Sequence, residues 1–255
     1  MRFVTINGRR IEYRAILGEA GSCPTVVFLH EGLGSVGLWR DFPDKLARRL
    51  GAPALVYSRF GYGQSDGLLA KRDPNFMHDE ALQILPQLLD QLEIERPMLV
   101  GHSDGASIAL IHAAAGRPVA GLVCMAPHVF VEPVCVESIA KIRDTYFKSD
   151  LKQRLAKYHE RVDDAFLGWA DIWLEPAFRA WSIEDLIGDI AKPMLLVQGR
   201  DDEYGTLAQI DRIEALARAP TSRLVLDRCG HSPHRDQEAA ALDAIVEFAR
   251  QHVPS

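Results

Sequence analysis

The alternation of short apolar runs with longer helical patterns is the feature that most restricts how this chain can fold. Six runs are rich in Val and Leu and lack polar alternation, as expected of strands covered on both faces. They span residues 25–30, 54–58, 98–101, 121–125, 193–198 and 223–226. Patterns in which apolar residues recur every three or four positions separate them, at residues 39–50, 75–92, 105–115, 206–218 and 235–251. This order predicts a mostly parallel sheet with helices on both faces.

The beginning of the chain has a different pattern. Residues 3–6 and 11–17 are strand-like and flank Asn7-Gly8, a pair that suits the tight turn of a two-residue hairpin. We therefore expect an antiparallel hairpin ahead of the parallel strands.

Residues from about 130 to 190 contain no strand-like run, only helical patterns. Nine of the twenty aromatic residues (10 Phe, 6 Tyr and 4 Trp) lie in this segment. They are Phe130, Tyr146, Phe147, Tyr158, Phe166, Trp169, Trp173, Phe178 and Trp181. The pattern predicts a helical cap at 130–190, inserted into a core formed by 1–129 and 191–255. The aromatic residues suit a lid over a pocket, and they equally suit packing of the insertion onto the core.

Length and composition restrict the partners. A chain of 255 residues can bury a large core as one α/β domain with an insertion. The formal net charge of −6 argues against nucleic acid, which calls for a basic face. No segment approaches the roughly 18 consecutive apolar residues of a membrane helix, and residues 1–7 lack the apolar stretch of a signal peptide.

The four cysteines show neither a CxxC pair nor the spacing of metal ligands. They are Cys23, Cys124, Cys135 and Cys229. We therefore expect a cytoplasmic protein with a small-molecule substrate and without a metal, a cofactor, a membrane or a nucleic-acid partner. A homodimer is compatible with these observations.

The pentapeptide 101–105, Gly-His-Ser-Asp-Gly, lies between a strand-like run and a helical pattern. It fits the G-x-S-x-G nucleophile elbow, in which a serine occupies the tip of a sharp strand-to-helix turn. The turn strains the serine backbone, and small residues two positions before and after leave room for it. The turn also exposes the hydroxyl and directs the free N–H groups of the helix start at a developing oxyanion. Ser103 is therefore the predicted nucleophile.

A serine nucleophile needs a base, and the base needs an orienting acid. The chain order expected for this fold is Ser, Asp, His. Asp201 and Asp202 both follow the fifth apolar run. Either carboxylate is placed to contact the base, so their positions in the chain do not distinguish them. His231 follows the sixth run, where Gly230 gives the loop freedom to return over the serine. Its rival, His234, lies at the start of the last helical pattern, so His231 is the predicted base.

Residues 30–35, His-Glu-Gly-Leu-Gly-Ser, follow the first apolar run. A glycine-rich turn lets main-chain N–H groups approach a substrate oxygen. The predicted oxyanion-hole donors are Gly32, with Leu33 as an alternative, and Asp104. Removing one such donor typically costs about 10²–10³ in turnover. His30 is expected to brace this loop rather than to react.

Over essentially its whole length the sequence resembles the α/β-hydrolase superfamily, and within it the small capped esterases, enol-lactonases and carbon–carbon bond hydrolases. The matching segments are the His30 loop, residues 58–65 (Ser-Arg-Phe-Gly-Tyr-Gly-Gln-Ser), the elbow, residues 199–202 and Gly230-His231. The resemblance implies an α/β-hydrolase fold with a mostly parallel central sheet, helices on both faces and a helical cap insertion. It also implies the roles given above for Ser103, His231 and the two main-chain donors.

The resemblance favours Asp202 over Asp201 as the acid. The family's other position for this acid follows the run 121–125, where the chain has Ala-Pro-His up to His128 and no carboxylate before Glu132.

Two residues depart from the family pattern. Glu31 stands where glycine is common, and Asp104 places a second carboxyl group beside the nucleophile. Because two negative charges would repel an oxyanion, at least one should be neutralised or turned away. Arg59 is expected to pair with Glu31, and the Asp104 carboxylate to lie at a helix N-terminus, where negative charge is favoured.

The resemblance implies a carboxylesterase-like serine hydrolase that cleaves an ester, lactone or activated ketone of a small carboxyl compound through an acyl-enzyme on Ser103. The insertion should fold over Ser103, with His128, Trp169, Trp173 and Trp181 lining the substrate pocket. Cofactor-free perhydrolase or haloperoxidase-type activity uses the same triad and stays open. The alternative that is not an enzyme is a small-molecule receptor with the same fold. Labelling by a fluorophosphonate distinguishes a serine enzyme from such a receptor.

Overall fold

A computed structural model describes residues 1–18 and 23–253, and within them eight strands form one sheet. The strands are β1 (Arg2–Ile6), β2 (Arg9–Ile16), β3 (Val26–Leu29), β4 (Ala54–Tyr57), β5 (Met98–His102), β6 (Gly121–Met125), β7 (Met194–Gly199) and β8 (Thr221–Leu226). Their order across the sheet is β1-β2-β4-β3-β5-β6-β7-β8. β1 pairs antiparallel with β2, and β2 with β4, whereas all other pairs are parallel. The predicted hairpin and the predicted parallel sheet are both confirmed.

Helices cover both faces of the sheet. They are α1 (Phe42–Leu50), α2 (Phe76–Asp79), α3 (Leu85–Gln91), α4 (Asp104–Ala114), α5 (Pro133–Lys148), α6 (Leu151–Leu155), α7 (Val162–Leu174), α8 (Glu184–Ile187), α9 (Ala208–Leu216), α10 (Pro233–Asp236) and α11 (Glu238–His252). A π-helical turn, Glu80–Ile84, joins α2 to α3, so the helix predicted over 75–92 is irregular. Pro86 lies just after this turn and has no N–H for a regular α-helical ladder. Short 3₁₀ helices occur at Gly37–Trp39 and Pro176–Ala180.

Two apolar layers pack against the sheet. On one face, α1 and α11 contact the strands through residues that include Phe42, Val246 and Phe248. On the other face lie α3 and α4 together with the segment 130–190. All residues of β3 to β7 are buried, which explains their unbroken apolar runs. The prediction that β8 is covered on both faces is wrong, because β8 is an edge strand and is only partly buried.

The segment 130–190, all of which is described, contains α5 to α8 and no strand apart from one bridge between Phe130 and Ser182. Its aromatic residues pack on one another, with the Tyr146 and Phe166 rings stacked 3.9 Å apart. His159 links the segment to the core, because its Nδ1 accepts from Gly63 N–H at 3.0 Å and its Nε2 donates to the Leu33 carbonyl at 3.0 Å. Among the described residues, no helix combines the length and apolarity needed to cross a membrane.

The close packing of α4 on β3 generates a test of the fold. At Gly105 a Cβ would overlap the Leu29 carbonyl oxygen, and neither piece of backbone can move without shifting the sheet. Gly105→Ala should therefore lower the free energy of unfolding by more than about 1 kcal/mol, which corresponds to roughly 2–4 °C in melting temperature per kcal/mol.

Gly188→Ala is the matched control for that measurement. A Cβ there would meet its nearest atom at 3.7 Å, and the residue already has helical angles. Thermal unfolding followed by circular dichroism should show little change for this variant. An equal loss in both variants would contradict the packing argument.

Candidate active site

Ser103 lies between β5 and α4 in a backbone conformation with φ 53° and ψ −121°, which a non-glycine residue rarely adopts. Its N–H donates to the Met125 carbonyl at 2.9 Å, which ties the turn to β6. A Cβ at Gly101 would overlap the main chain of Gly105 and Ala106, so the turn requires glycine there. This is the geometry of a nucleophile elbow.

The structure brings Asp202 and His231 together. His231 Nδ1 lies 2.9 Å from both carboxylate oxygens of Asp202. The Asp202 side chain is fully buried and also accepts from Gln198 Nε2 at 2.7 Å, from Tyr204 N–H at 2.8 Å and from Gly205 N–H at 3.1 Å. These donors hold the carboxylate in place and satisfy its charge. Nδ1 therefore carries the proton that bonds Asp202, which leaves Nε2 free for the cavity.

The two rivals of this pair lie elsewhere. Asp201 is exposed, and its N–H donates to the Cys229 carbonyl at 2.9 Å. His234 is buried, with its ring 4.9 Å from that of Trp39 and 4.8 Å from that of His102. Neither residue lines the cavity above Ser103.

Burial and charge shift the pKa values of the pair in opposite directions. Burial alone raises the pKa of Asp202, but the charge and hydrogen bond of His231 outweigh it, so the pKa lies below its ordinary value. Burial lowers the pKa of His231, but the charge and hydrogen bond of Asp202 more than offset it, so that pKa lies above its ordinary value. The arrangement thus makes His231 a stronger base than a free imidazole.

The residues predicted as oxyanion-hole donors lie around the cavity that Ser103 lines. Gly32, Leu33 and Asp104 all line it. Within the described parts of the chain, the N–H groups of Gly32, Leu33 and Asp104 donate to no acceptor, so Leu33 stays an alternative to Gly32. A Cβ at Gly32 would overlap the Trp169 indole, so glycine is required at that position. Buried N–H groups without partners are rare, and a pair beside a strained serine suits an oxyanion.

The two extra carboxylates are turned away or paired, but not as the sequence predicts. The expected Arg59–Glu31 ion pair is wrong, because Arg59 Nη2 donates to the main-chain carbonyl of Glu31 at 2.9 Å. The Glu31 carboxylate instead lies 3.5 Å from His102 Nδ1 and 3.6 Å from Arg235 Nη2. Arg59 Nη2 lies 3.8 Å from Asp104 Oδ2.

These partners act on the pKa of each carboxyl group. Burial raises the pKa of Glu31, but His102 and Arg235 outweigh it and hold it well below its ordinary value. Burial also raises the pKa of Asp104, and Arg59 offsets this only in part, so it remains above its ordinary value. The Trp173 indole N–H lies near Asp104, outside hydrogen-bonding geometry, and lowers this pKa slightly.

A cavity of about 240 Å³ lies above Ser103, and Trp169, Trp173 and His128 line it as predicted. Trp181 does not line it, which corrects the sequence prediction. Its ring stacks on Phe178, with centroids 5.4 Å apart, behind Trp173.

Sequence reasoning missed several lining residues, and some of them had a signal. Arg235 follows His231 by four residues, and Tyr204 follows Asp202 by two residues, so both lay next to predicted site residues. Cys135 and Ile139 are four residues apart and lie on one face of α5. Leu38 and Leu155 gave no such signal.

His128 is held relative to Ser103 through α4. Ser107 Oγ donates to the His128 carbonyl at 2.6 Å. The His128 ring lies 5.8 Å from that of His231 and 5.0 Å from that of Trp173. Burial, helped by the charge of His231, lowers the pKa of His128 to about 3, so its ring is neutral in the cavity. Among the described residues, no group of three or more His, Cys, Asp or Glu is placed to hold a metal ion.

The alpha/beta hydrolase family model matches residues 26–244, and the chain belongs to this family. It is 25% identical over 260 residues to 2-hydroxy-6-oxo-6-phenylhexa-2,4-dienoate hydrolase of Burkholderia cepacia, covering 90% of this chain and 89% of that one. It is also 25% identical over 279 residues to 2-hydroxy-6-oxononadienedioate/2-hydroxy-6-oxononatrienedioate hydrolase of Cupriavidus pinatubonensis, covering 97% and 94%. The protein is thus a hydrolase of the α/β-hydrolase type.

The fold is shared with solved structures of low sequence identity. The enol-lactonase from Burkholderia xenovorans LB400 has a TM-score of 0.76 and 20% identity, covering 98% of this chain and 100% of that one. VinJ has a TM-score of 0.76 and 22% identity, covering 99% and 98%. These likenesses confirm the α/β-hydrolase fold.

The Asp202–His231 contact predicts how His231 titrates. Its raised pKa means that Asp202 stabilises the protonated ring, so this part of the stability is fully present below about pH 6.5. It is lost as the pH rises through the pKa of the folded protein. Asp202→Asn should remove the attraction and leave burial dominant, so the pKa of His231 should fall below about 6.5. NMR titration of the ring protons measures it.

Asp201→Asn is the control, because it removes the same charge one residue away from the contact. The pKa of His231 should stay close to that of the parent protein. If both variants lower it equally, Asp202 has no special role.

Proposed function

We propose that this protein is a serine hydrolase that cleaves an ester, lactone or activated ketone of a small carboxyl compound through an acyl-enzyme. The observation that carries this proposal is the meeting of three groups at one cavity. A strained Ser103, a His231 bound to buried Asp202, and two unpartnered N–H groups lie where the parallel strands end. No other chemistry uses this combination as directly as acyl transfer.

The proposed reaction begins with attack of Ser103 Oγ on the carbonyl carbon. His231 Nε2 takes the hydroxyl proton, and Asp202 stabilises the resulting imidazolium through Nδ1. The carbonyl oxygen becomes an oxyanion that accepts from the N–H groups of Gly32, or Leu33, and Asp104. Collapse breaks the bond to the leaving group, which receives the proton from His231. Water then attacks the acyl-enzyme with His231 as the base, and the acid is released.

The cavity supports a small and largely apolar substrate. At about 240 Å³ it is smaller than most drug-sized ligand pockets, and its lining is rich in aromatic and aliphatic side chains. We propose that segment 130–190 is the cap over the nucleophile, because it supplies Trp169 and Trp173 together with Ile139 and Leu155. The core would then supply the chemistry and the cap the shape of the acyl site.

The two related hydrolases described above support the inclusion of activated ketones among the proposed substrates. Both are named as hydrolases of 2-hydroxy-6-oxo compounds, which carry a ketone at carbon 6. A ketone with a stabilised carbon leaving group needs the same nucleophile and oxyanion hole as an ester. Assays with p-nitrophenyl esters, lactones and 6-oxo dienoates, run side by side, separate the three substrate types.

Ser103→Ala tests the nucleophile. The change removes one oxygen atom, so turnover of every hydrolysed substrate should fall to the background rate while the melting temperature stays nearly unchanged. The parent protein should gain a covalent adduct with a fluorophosphonate, which mass spectrometry of the tryptic peptide locates on Ser103. A labelled Ser103→Ala variant would place the nucleophile elsewhere, and an unlabelled parent protein would favour the non-catalytic receptor.

The tryptophans test the pocket. Truncating Trp169 or Trp173 to Ala removes apolar surface against which the ligand would be buried. Because each Å² of buried apolar surface contributes about 25 cal/mol to binding, the change should raise KM for a bulky acyl ester more than for an acetate ester. Trp181→Ala is the matched control, because that ring is buried outside the cavity. It should lower the melting temperature and leave the ratio of the two KM values unchanged. A ratio that changes only in Trp181→Ala would contradict the pocket described here.

A further inference from the structure

Three donors converge on the carbonyl oxygen of Glu31. They are His30 Nδ1 at 2.7 Å, Arg59 Nη2 at 2.9 Å and the N–H of Gly34 at 3.0 Å. His30 Nε2 accepts from the Arg59 N–H at 3.1 Å, so the ring proton is on Nδ1, which donates. The loop is thus fixed at this one oxygen by charged and neutral donors together.

The Glu31 carbonyl and the Gly32 N–H belong to the same peptide group. Because a trans peptide is planar, its N–H points opposite to its C=O. Holding the carbonyl oxygen on Arg59 and His30 therefore directs the Gly32 N–H the other way, and Gly32 lines the cavity. Whatever holds the Glu31 oxygen sets the direction of this oxyanion donor.

The same guanidinium also lies close to the side chain of Asp104. Arg59 Nη2 lies 3.8 Å from Asp104 Oδ2, and both side chains are buried, with exposed fractions of 2% and 0%. Asp104 is the first residue of α4, and its N–H is the second proposed oxyanion donor. One buried cation thus contacts both residues whose N–H groups must point at one substrate oxygen.

We propose that Arg59 is a positioning residue that fixes the distance and direction of the two oxyanion-hole donors by bridging the Glu31 carbonyl and the Asp104 carboxyl group. The inference rests on the proposed function. Arg59 acts through Gly32 and Asp104 and does not touch the substrate. Its effect should therefore appear in the transition state, where the oxyanion forms, and not in substrate binding.

Arg72 is a matched control for Arg59. Both guanidinium groups pack on the Tyr62 ring, Arg59 at 5.0 Å and Arg72 at 4.8 Å from its centroid. Arg72 Nη2, however, donates to the Phe60 carbonyl at 3.3 Å, and Arg72 acts on Asp104 only through its charge, less strongly than Arg59. A purely structural role in packing on Tyr62 would be common to both.

The experiment compares Arg59→Met, Arg59→Lys and Arg72→Met with the parent protein. The readouts are kcat and KM for a p-nitrophenyl ester, and the inhibition constant of a trifluoromethyl ketone. Ser103 adds to that ketone to form a hemiketal whose oxyanion lies in the same hole. Arg59→Met should lower kcat by about 10²-fold and weaken the ketone by a similar factor, with KM little changed. Arg72→Met should retain the affinity of the parent protein for the ketone.

Arg59→Lys retains the charge but lacks the planar guanidinium that holds Nη2 between the two acceptors, so it should recover only part of the loss. If Arg59→Met unfolds because Asp104 is left unpaired, the double variant Arg59→Met/Asp104→Asn removes that charge, and it should still bind the ketone weakly. Full ketone affinity in Arg59→Lys or in the double variant would overturn the inference. So would an equal loss in Arg72→Met.

The outcome for Arg59 is separable from that for the function as a whole. A parent protein that is labelled on Ser103 and inhibited by the ketone supports the serine mechanism, whatever the Arg59 variants do. If the parent protein shows neither reaction, the proposed function fails, and the inference on Arg59 fails with it.

Discussion

The contact between α4 and the sheet is the constraint on which the rest of the site depends. Gly105 lies directly against the Leu29 carbonyl of β3, and Gly101 lies against the first turn of the helix. A helix that approaches the sheet so closely leaves Ser103 no relaxed conformation, which is why its φ is 53°. The strained backbone is that of Ser103, and burial of nearly the whole helix keeps it in this conformation. The same helix fixes His128 through Ser107, so one packing contact places residues on two sides of the cavity.

Charge around the cavity is arranged in local pairs. Asp202 faces His231, Glu31 faces His102 and Arg235, and Asp104 faces Arg59. Breaking a buried pair by removing one partner typically costs about 3–5 kcal/mol, because an uncompensated charge is left behind. The pairs therefore keep three carboxyl groups close to Ser103, where the proposed reaction adds the negative charge of an oxyanion. Burial also lowers the local polarity, which strengthens the attraction between the N–H donors and a negatively charged oxygen.

Much of the fold, the strained turn at Ser103 and the contact between Asp202 and His231 could be predicted because their signals are local. The glycine spacing around Ser103 and the unbroken apolar runs each report a constraint within a few residues. The partners of Glu31 were missed because a side-chain rotamer decides them: the carboxylate lies near His102, which precedes Ser103 in the chain, and near Arg235. Trp169 and Trp173 are four residues apart on α7 and share a face, whereas Trp181 follows a 3₁₀ turn that rotates it away. Periodicity could not reveal that rotation.

The contact between Gly32 and Trp169 has a consequence for how such an enzyme changes its substrates. A side chain at position 32 would occupy the space that the indole fills. The loop that carries the proposed oxyanion donor and the segment proposed to shape the acyl site thus share one volume. A larger residue at 32 becomes compatible with the fold only when 169 becomes smaller, whereas 169 can become smaller while 32 stays glycine. Lineages descended from this sequence could therefore broaden their acyl range at position 169 alone, while position 32 would stay glycine until that change had come first.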